Sequence, residues 1–282
     1  MRNLNSTKRN GFDFHKDIVN SKKITKNNPG YKPRLVSIEN EIKGLYDIYE
    51  KNFNGNVLEN STPKGYVDTN KTDLLSLYSY KSKQIQALKT EITTTETNRI
   101  INTCQNCTLS EINSFDHVLP KDEYSEFVVN PLNLFPSCTI CNSFKGKFWH
   151  ENGKRKYLNL YLDKLPDKQY LFVDIDYDKE TFGLKFYLEN RYGIDANLFI
   201  LIESHYNKLH LLQRFSDNAD RVITPLQNKI KPHLKLLSID QIKDLTIESS
   251  NLNRSVFGFN YWESILELSL IDNNDFINTL YL

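Results

Sequence analysis

The chain has 282 residues, 39% hydrophobic and 25% charged, with a net charge of only +1. Its longest purely aliphatic and aromatic run, Leu198 to Ile202, is far too short to span a bilayer, and the Asn- and Lys-rich N-terminus lacks the apolar core of a secretory signal. These features exclude a membrane partner and a disulfide scaffold, and they imply a cytoplasmic globular protein.

The near-zero net charge hides an asymmetry. Residues 1–34 hold nine Lys/Arg against Asp13 and Asp17, whereas residues 235–282 hold three Lys/Arg against seven Asp/Glu. Residues 1–33 read as a flexible basic arm ending at Asn27-Asn28-Pro29-Gly30. Residues 34–103 read as a helical N-terminal region. Leu35, Ile38, Ile42, Leu45, Ile48 or Tyr49, and Phe53 recur at spacings of three and four, which predicts one amphipathic helix. Residues 54–70, rich in Asn, Gly, Pro and Thr, predict a loop. From near Thr72, Leu74, Leu77, Tyr78, Ile85, Leu88 and Ile92 predict the buried face of a second helix.

Residues 104–150 carry the chemistry and are treated below. Residues 151–282 read as a β-hairpin plus a helical C-terminal region. Gln169–Tyr177 and Thr181–Leu188 alternate apolar and polar residues, with Leu171, Val173, Ile175 and Phe182, Leu184, Phe186 on single faces, and Asp178-Lys179-Glu180 as the turn. Asp195 is expected to cap a helix through about Phe215, Ser238 with Gln241 forms a capping-box pattern, and Asn260 is expected to cap a helix through about Ile271.

The four cysteines are Cys104, Cys107, Cys138 and Cys141, two C-x2-C pairs thirty residues apart. One tight turn can supply two sulfurs, so two such knuckles place four thiolates around a tetrahedral Zn²⁺. With every coordination position taken by sulfur, that ion is structural. The long gap requires something else to fold between the knuckles. It contains Phe115-Asp116-His117-Val118-Leu119-Pro120 and Asn133-Leu134-Phe135-Pro136, and it runs into Cys138-Thr139-Ile140-Cys141-Asn142-Ser143-Phe144-Lys145-Gly146-Lys147.

In order and inside a double C-x2-C, these elements resemble the HNH endonucleases of the ββα-metal fold, over about residues 104–147, and the resemblance implies phosphodiester hydrolysis, which needs an activated water, neutralisation of charge on the phosphorane-like transition state, and help for the leaving oxygen. A neutral imidazole suits the first task, and a divalent cation suits the other two. His117 is the candidate base. Asp116 is a hard oxygen donor for Mg²⁺ or Mn²⁺. Adjacent residues on a strand point to opposite faces, so a shared site needs the strand to bend or end there, and Pro120 fits an ending. Asn142, at the start of a helix, offers a second metal-binding oxygen, and Lys145 on the same helix, with Lys147 beyond it, is a candidate phosphate contact. The other five histidines, His15, His150, His205, His210 and His233, stand in no motif. Lys154-Arg155-Lys156 is a short basic cluster that could track a nucleic-acid backbone.

Together with the helices and hairpin read from periodicity, the ββα module that the resemblance implies makes the expected fold α+β: mainly helical, with a central ββα zinc module and a β-hairpin after it. The resemblance implies a metal-dependent endonuclease acting on nucleic acid, DNA in the first place. It also implies that Asn133 is the middle Asn, holding the histidine-bearing loop. The last motif position is Asn142 rather than His, as in some members of that family. This neutral oxygen ligand favours Mg²⁺ or Mn²⁺ over softer ions. The run from Asp116-His117-Val118-Leu119-Pro120-Lys121 through Glu126-Phe127 further resembles nuclease subunits of Septu-type anti-phage systems, which implies a partner ATPase and a role in defence. The alternatives left open by the residues are a non-catalytic zinc ribbon that binds nucleic acid and a subunit active only in complex.

Overall fold

The computed structural model describes residues 1–177 and 182–281. The protein is α+β and mainly helical, with three two-stranded antiparallel sheets among the described residues, the class the sequence implied. None of the described helices is long and apolar enough to cross a membrane. The chain divides into two units. One comprises Leu4–Gln105 and Ser110–Asp163; the other comprises Met1–Asn3, Asn106–Leu109 and Lys164–Leu282.

The first unit opens with a helix where a flexible arm was expected. In α1 (Gly11–Ser21), Phe14, His15, Ile18 and Val19 are buried at helical spacing, and Asn10 caps the helix by accepting from the Asp13 amide. The basic residues that suggested disorder lie on its outer face and flanks. The expected helix over Leu35–Phe53 is split into α2 (Tyr31–Ser37) and α3 (Glu39–Asn54). At the break, the Ser37 hydroxyl bonds back to the Arg34 carbonyl at 2.7 Å, and Ile38 leaves helical geometry. On α3, Ile42, Tyr46, Tyr49 and Phe53 form one buried stripe.

The second expected helix is also interrupted, into α4 (Asp68–Leu75) and α5 (Lys83–Thr93). The seven residues between them contain Ser76, Ser79 and Ser82, and the Ser76 hydroxyl bonds to the Asp73 carbonyl at 2.7 Å. Tyr78 and Tyr80 leave the chain in this break. The rest of the unit is β1 (Ser114–His117), β2 (Leu134–Ser137), α6 (Thr139–Lys145) and a small hairpin of β3 (His150–Glu151) and β4 (Lys154–Arg155). Asn152 and Gly153, at φ 51 and 70, supply the positive dihedrals that this two-residue turn requires.

The second unit is built on β5 (Leu171–Tyr177) and β6 (Phe182–Leu188), paired antiparallel with Val173 opposite Phe186. The expected hairpin is therefore present; Asp178-Lys179-Glu180, its expected turn, and Thr181 lie outside the described residues. Asp195 caps α7 (Ala196–Lys208) through the Asn197 and Leu198 amides. The helix stops short of Phe215 because His210 is left-handed at φ 53, and α8 (Leu211–Asp217) follows. After α9 (Asp220–His233), Ser238 and Gln241 form the expected capping box on α10 (Ile239–Phe257). Then come α11 (Trp262–Ile271) and α12 (Asn274–Thr279).

Asn260 does not cap α11. Its side chain accepts from the Tyr170 and Leu171 amides at 2.8 and 3.0 Å and donates to the Lys168 carbonyl at 2.9 Å, fixing the entry to β5. The core of this unit stacks Phe215 on Trp262 at 5.3 Å, with Phe186 edge-on to both.

Candidate active site and metal centre

The register of the β1–β2 ladder fixes the candidate site. Phe115 pairs with Pro136 and His117 with Leu134. Proline has no amide hydrogen, so the Phe115–Pro136 pair is of the non-hydrogen-bonded kind, and the polar groups of Phe115 point away from β2. Both are met by side chains. The Phe115 amide donates to the Tyr78 hydroxyl at 3.3 Å, and the Asn142 amide nitrogen donates to the Phe115 carbonyl at 3.1 Å. This fixes the orientation of the Asn142 amide: its nitrogen is engaged, and its Oδ1 accepts no hydrogen bond among the described residues. The His117 carbonyl faces the same way and accepts from Lys145 Nζ at 2.8 Å.

β1 ends at His117, and its last two side chains are held by different elements. The Asp116 carboxylate accepts from Lys145 Nζ at 2.8 Å, and that ammonium reaches the Val118 carbonyl at 3.1 Å as well. Burial pushes the Asp116 carboxyl up from its ordinary range, and the Lys145 charge opposes the rise. His117 Nε2 lies 2.9 Å from the Val128 carbonyl. A carbonyl only accepts, so Nε2 carries the hydrogen and Nδ1 keeps its lone pair. Nδ1 has no hydrogen-bond partner among the described residues. Burial lowers the imidazole pKa to about 4, with the Lys121 and Lys145 charges adding to the effect against the Val128 bond, so the ring is neutral at pH 7.

Between these ends, Asn133 is fully buried and saturated. Its Oδ1 accepts from the Leu119 amide at 2.7 Å and from the Tyr49 hydroxyl at 3.2 Å. Its Nδ2 donates to the Leu119 and Phe127 carbonyls, both at 3.1 Å. It thus ties the strand carrying His117 to the 3-10 turn Ser125–Phe127, next to the carbonyl that receives the imidazole hydrogen. The Tyr49 ring packs on Phe127 at 4.8 Å, so α3 braces the loop from behind.

Lys145 was expected to meet phosphate. In the structure it is buried, and its three donors are taken by Asp116, His117 and Val118. Lys145→Met is therefore expected to leave a buried carboxylate without its counter-charge, costing about 3 kcal/mol of stability, read from urea denaturation of protein that keeps zinc on its cysteines, with no Mg²⁺ or Mn²⁺ added. An unchanged midpoint would show that the ion pair contributes nothing. Lys147 is exposed, over the Phe148 ring at 5.9 Å, and apart from these groups. Of the basic cluster, Arg155 pairs with Asp163 at 2.9 Å and Lys156 with Glu151 at 2.7 Å, leaving Lys154 as the outward charge.

The cysteines form the second feature. The four sulfurs lie within 4.8 Å of one another, all in buried residues. Thiolates about 3.8 Å apart are what a tetrahedron with metal–sulfur bonds near 2.3 Å demands, so the cluster fits an ion such as zinc. Backbone amides already turn toward the sulfurs: Leu109 N lies 3.5 Å from Cys107 Sγ, and Cys141 N lies 3.4 Å from Cys138 Sγ. The second contact makes Cys138 the N-cap of α6, so the cluster and the helix bearing Asn142 and Lys145 share a residue.

Fold and cluster define an α+β protein with a four-cysteine site able to hold a metal and a ββα element beside it. Comparison with known proteins adds two relatives. The chain is 27% identical over 182 residues to protein ea31 of Escherichia phage lambda, covering 60% of each chain. It is 42% identical over 60 residues to Septu protein PtuB of Bacillus thuringiensis, covering 20% of this chain and 23% of PtuB. The chain thus spans about three-fifths of the one and under a quarter of the other. No protein-family profile matches it, and no solved structure does.

Proposed function

We propose that the protein is an HNH-type endonuclease that hydrolyses phosphodiester bonds in nucleic acid, with His117 as general base and one divalent cation. The observation that carries this reading is the fixed tautomer of His117. The imidazole is neutral, its hydrogen is committed to Val128, and its remaining lone pair is on Nδ1. Such a group can take a proton from water. Asp116 and Asn142 Oδ1 are hard oxygen donors suited to Mg²⁺ or Mn²⁺, which when bound would neutralise charge at the phosphate as a Lewis acid. Asn133 holds the loop that orients the base. Zn²⁺ on the four cysteines is the structural ion. The similarity to PtuB supports extending the reading to anti-phage defence, with a partner ATPase as the Septu resemblance implies.

The test is cleavage of supercoiled DNA and of RNA by full-length protein purified with its structural metal. Mg²⁺ or Mn²⁺ is expected to start cutting, and EDTA to stop it. The relative rates on the two substrates identify the nucleic acid. Tight, steeply salt-dependent binding without cleavage under any metal would replace the enzyme with the zinc-ribbon alternative.

A further inference from the structure

We infer that Tyr78, from the break between α4 and α5, is a positioning residue for the His117 imidazole, so that the active site extends beyond the ββα element into the N-terminal helices. The inference rests on the reading of His117 as the base. Tyr78 makes two contacts with the strand that carries it. Its hydroxyl receives the Phe115 amide at 3.3 Å, at the outward edge of β1 that Pro136 leaves without a backbone partner. Its ring meets the His117 ring at a centroid distance of 4.9 Å and an interplanar angle of 72°, a T-shaped pair.

The imidazole is then held at two points of different kind. The Val128 carbonyl fixes Nε2 on one side, and the Tyr78 ring limits rotation of the imidazole about its own bonds. Asn142, which meets the Phe115 carbonyl, and Tyr78, which meets the Phe115 amide, thus grip the same residue, immediately before Asp116. Tyr80 of the break and Lys89 of α5 are both anchored to the segment that leads from the first cysteine knuckle into β1. The Tyr80 hydroxyl donates to the Ile112 carbonyl at 3.2 Å, and Lys89 Nζ reaches the same oxygen at 2.8 Å. Tyr78 is half-buried and is not a solvent-facing side chain held by chance. A base displaced by about 1 Å loses on the order of a hundredfold in rate, so removing one of two restraints is expected to act on turnover and not on binding.

The test uses full-length, metal-loaded protein and the variants Tyr78→Leu and Tyr78→Phe. Tyr78→Leu is expected to lower kcat by about 10- to 100-fold with KM within about twofold. Tyr78→Phe, which keeps the ring and loses the hydroxyl, is expected to recover most of that loss. Carbon–proton correlation spectra read the histidine directly. The His117 ring resonances are expected to shift in Tyr78→Leu and to stay near the parent positions in Tyr78→Phe. In the parent protein, ring-to-ring NOEs between Tyr78 and His117 are expected. Parental turnover in Tyr78→Leu, or a raised KM at constant kcat, would overturn the proposal. So would the absence of the NOEs, a result that needs no variant to fold. If the parent cuts no substrate, it is the nuclease reading that fails, and the spectra still decide whether Tyr78 sets the ring.

Discussion

His117→Ala is expected to slow cleavage by about 100- to 10,000-fold while bound zinc and the far-UV circular dichroism spectrum remain those of the parent. The factor follows from the role: a positioned base removed outright leaves only the bound cation and the geometry of binding to act. Loss of the ring also strips the Val128 carbonyl of its donor and opens a void beside Tyr78, so a stability loss of about 2 kcal/mol accompanies it. That cost is small beside the unit's core and does not mimic the kinetic effect. The sign of the pH dependence is fixed by burial. With the pKa near 4, below the usual value of 6.5, the base form persists from neutral pH down to about pH 5, and the rate falls below that as the ring takes up a proton. A phosphate at the site raises this pKa and a divalent cation on Asp116 and Asn142 lowers it, so the acid limb is to be read with both substrate and metal bound. Parental rates in His117→Ala would remove the base from the mechanism.

The ββα element was legible because its signals are local. C-x2-C spacing, Asp116-His117 and Asn142 within the second knuckle's helix are short-range patterns, and the structure brings the cysteines into one buried cluster. Asp195 and Ser238 were legible for the same reason, since a cap needs only a polar residue and the amides two or three positions on. What failed was continuity. The apolar stripe from Leu74 to Ile92 has helical spacing, yet the serines between Leu75 and Lys83 break it. Tyr78, read as a core position, instead turns its ring to His117. Periodicity reports which residues face inward, and it is blind to whether the inward neighbour is packing or chemistry. The basic arm misled in a related way. Charge density suggested disorder, whereas four apolar or aromatic positions in eleven residues were enough for α1 to dock. Asn260 and Lys145 were read by local rules, as a cap and as a helix-face cation. Their partners lie about ninety and about thirty residues away, which no local rule reaches.

The largest expected effect is on the cysteine cluster. Cys138→Ser is expected to abolish stoichiometric metal binding and to loosen residues 104–150. In apparent folding free energy, loss of a four-thiolate zinc site is worth on the order of 10 kcal/mol, more than the small element can supply by itself. The reason is its size: β1 and β2 pair over four residues each, and α6 is seven residues long. A two-stranded ribbon and a two-turn helix are marginal in isolation. Serine is chosen because it separates two roles of Cys138. The sulfur accepts from the Cys141 amide and so caps α6. A serine hydroxyl caps at least as well but does not ligate zinc at neutral pH. Any loss in Cys138→Ser therefore belongs to the metal and not to the cap. Elemental analysis gives the metal content, and hydrogen exchange over residues 104–150 gives the local opening. Tyr46 and Tyr49 of α3 pack on Phe127, and Phe53 packs on Tyr161, which keeps the turn Ser125–Phe127 anchored to α3, so the increase in exchange is expected to concentrate at β1, β2 and α6. With α6 released, Asn142 loses Phe115 and Lys145 loses Asp116, so cleavage fails through geometry although every proposed catalytic side chain is still present. Unchanged exchange in a metal-free Cys138→Ser protein would mean that packing alone holds the element, and the cluster would then need a different purpose.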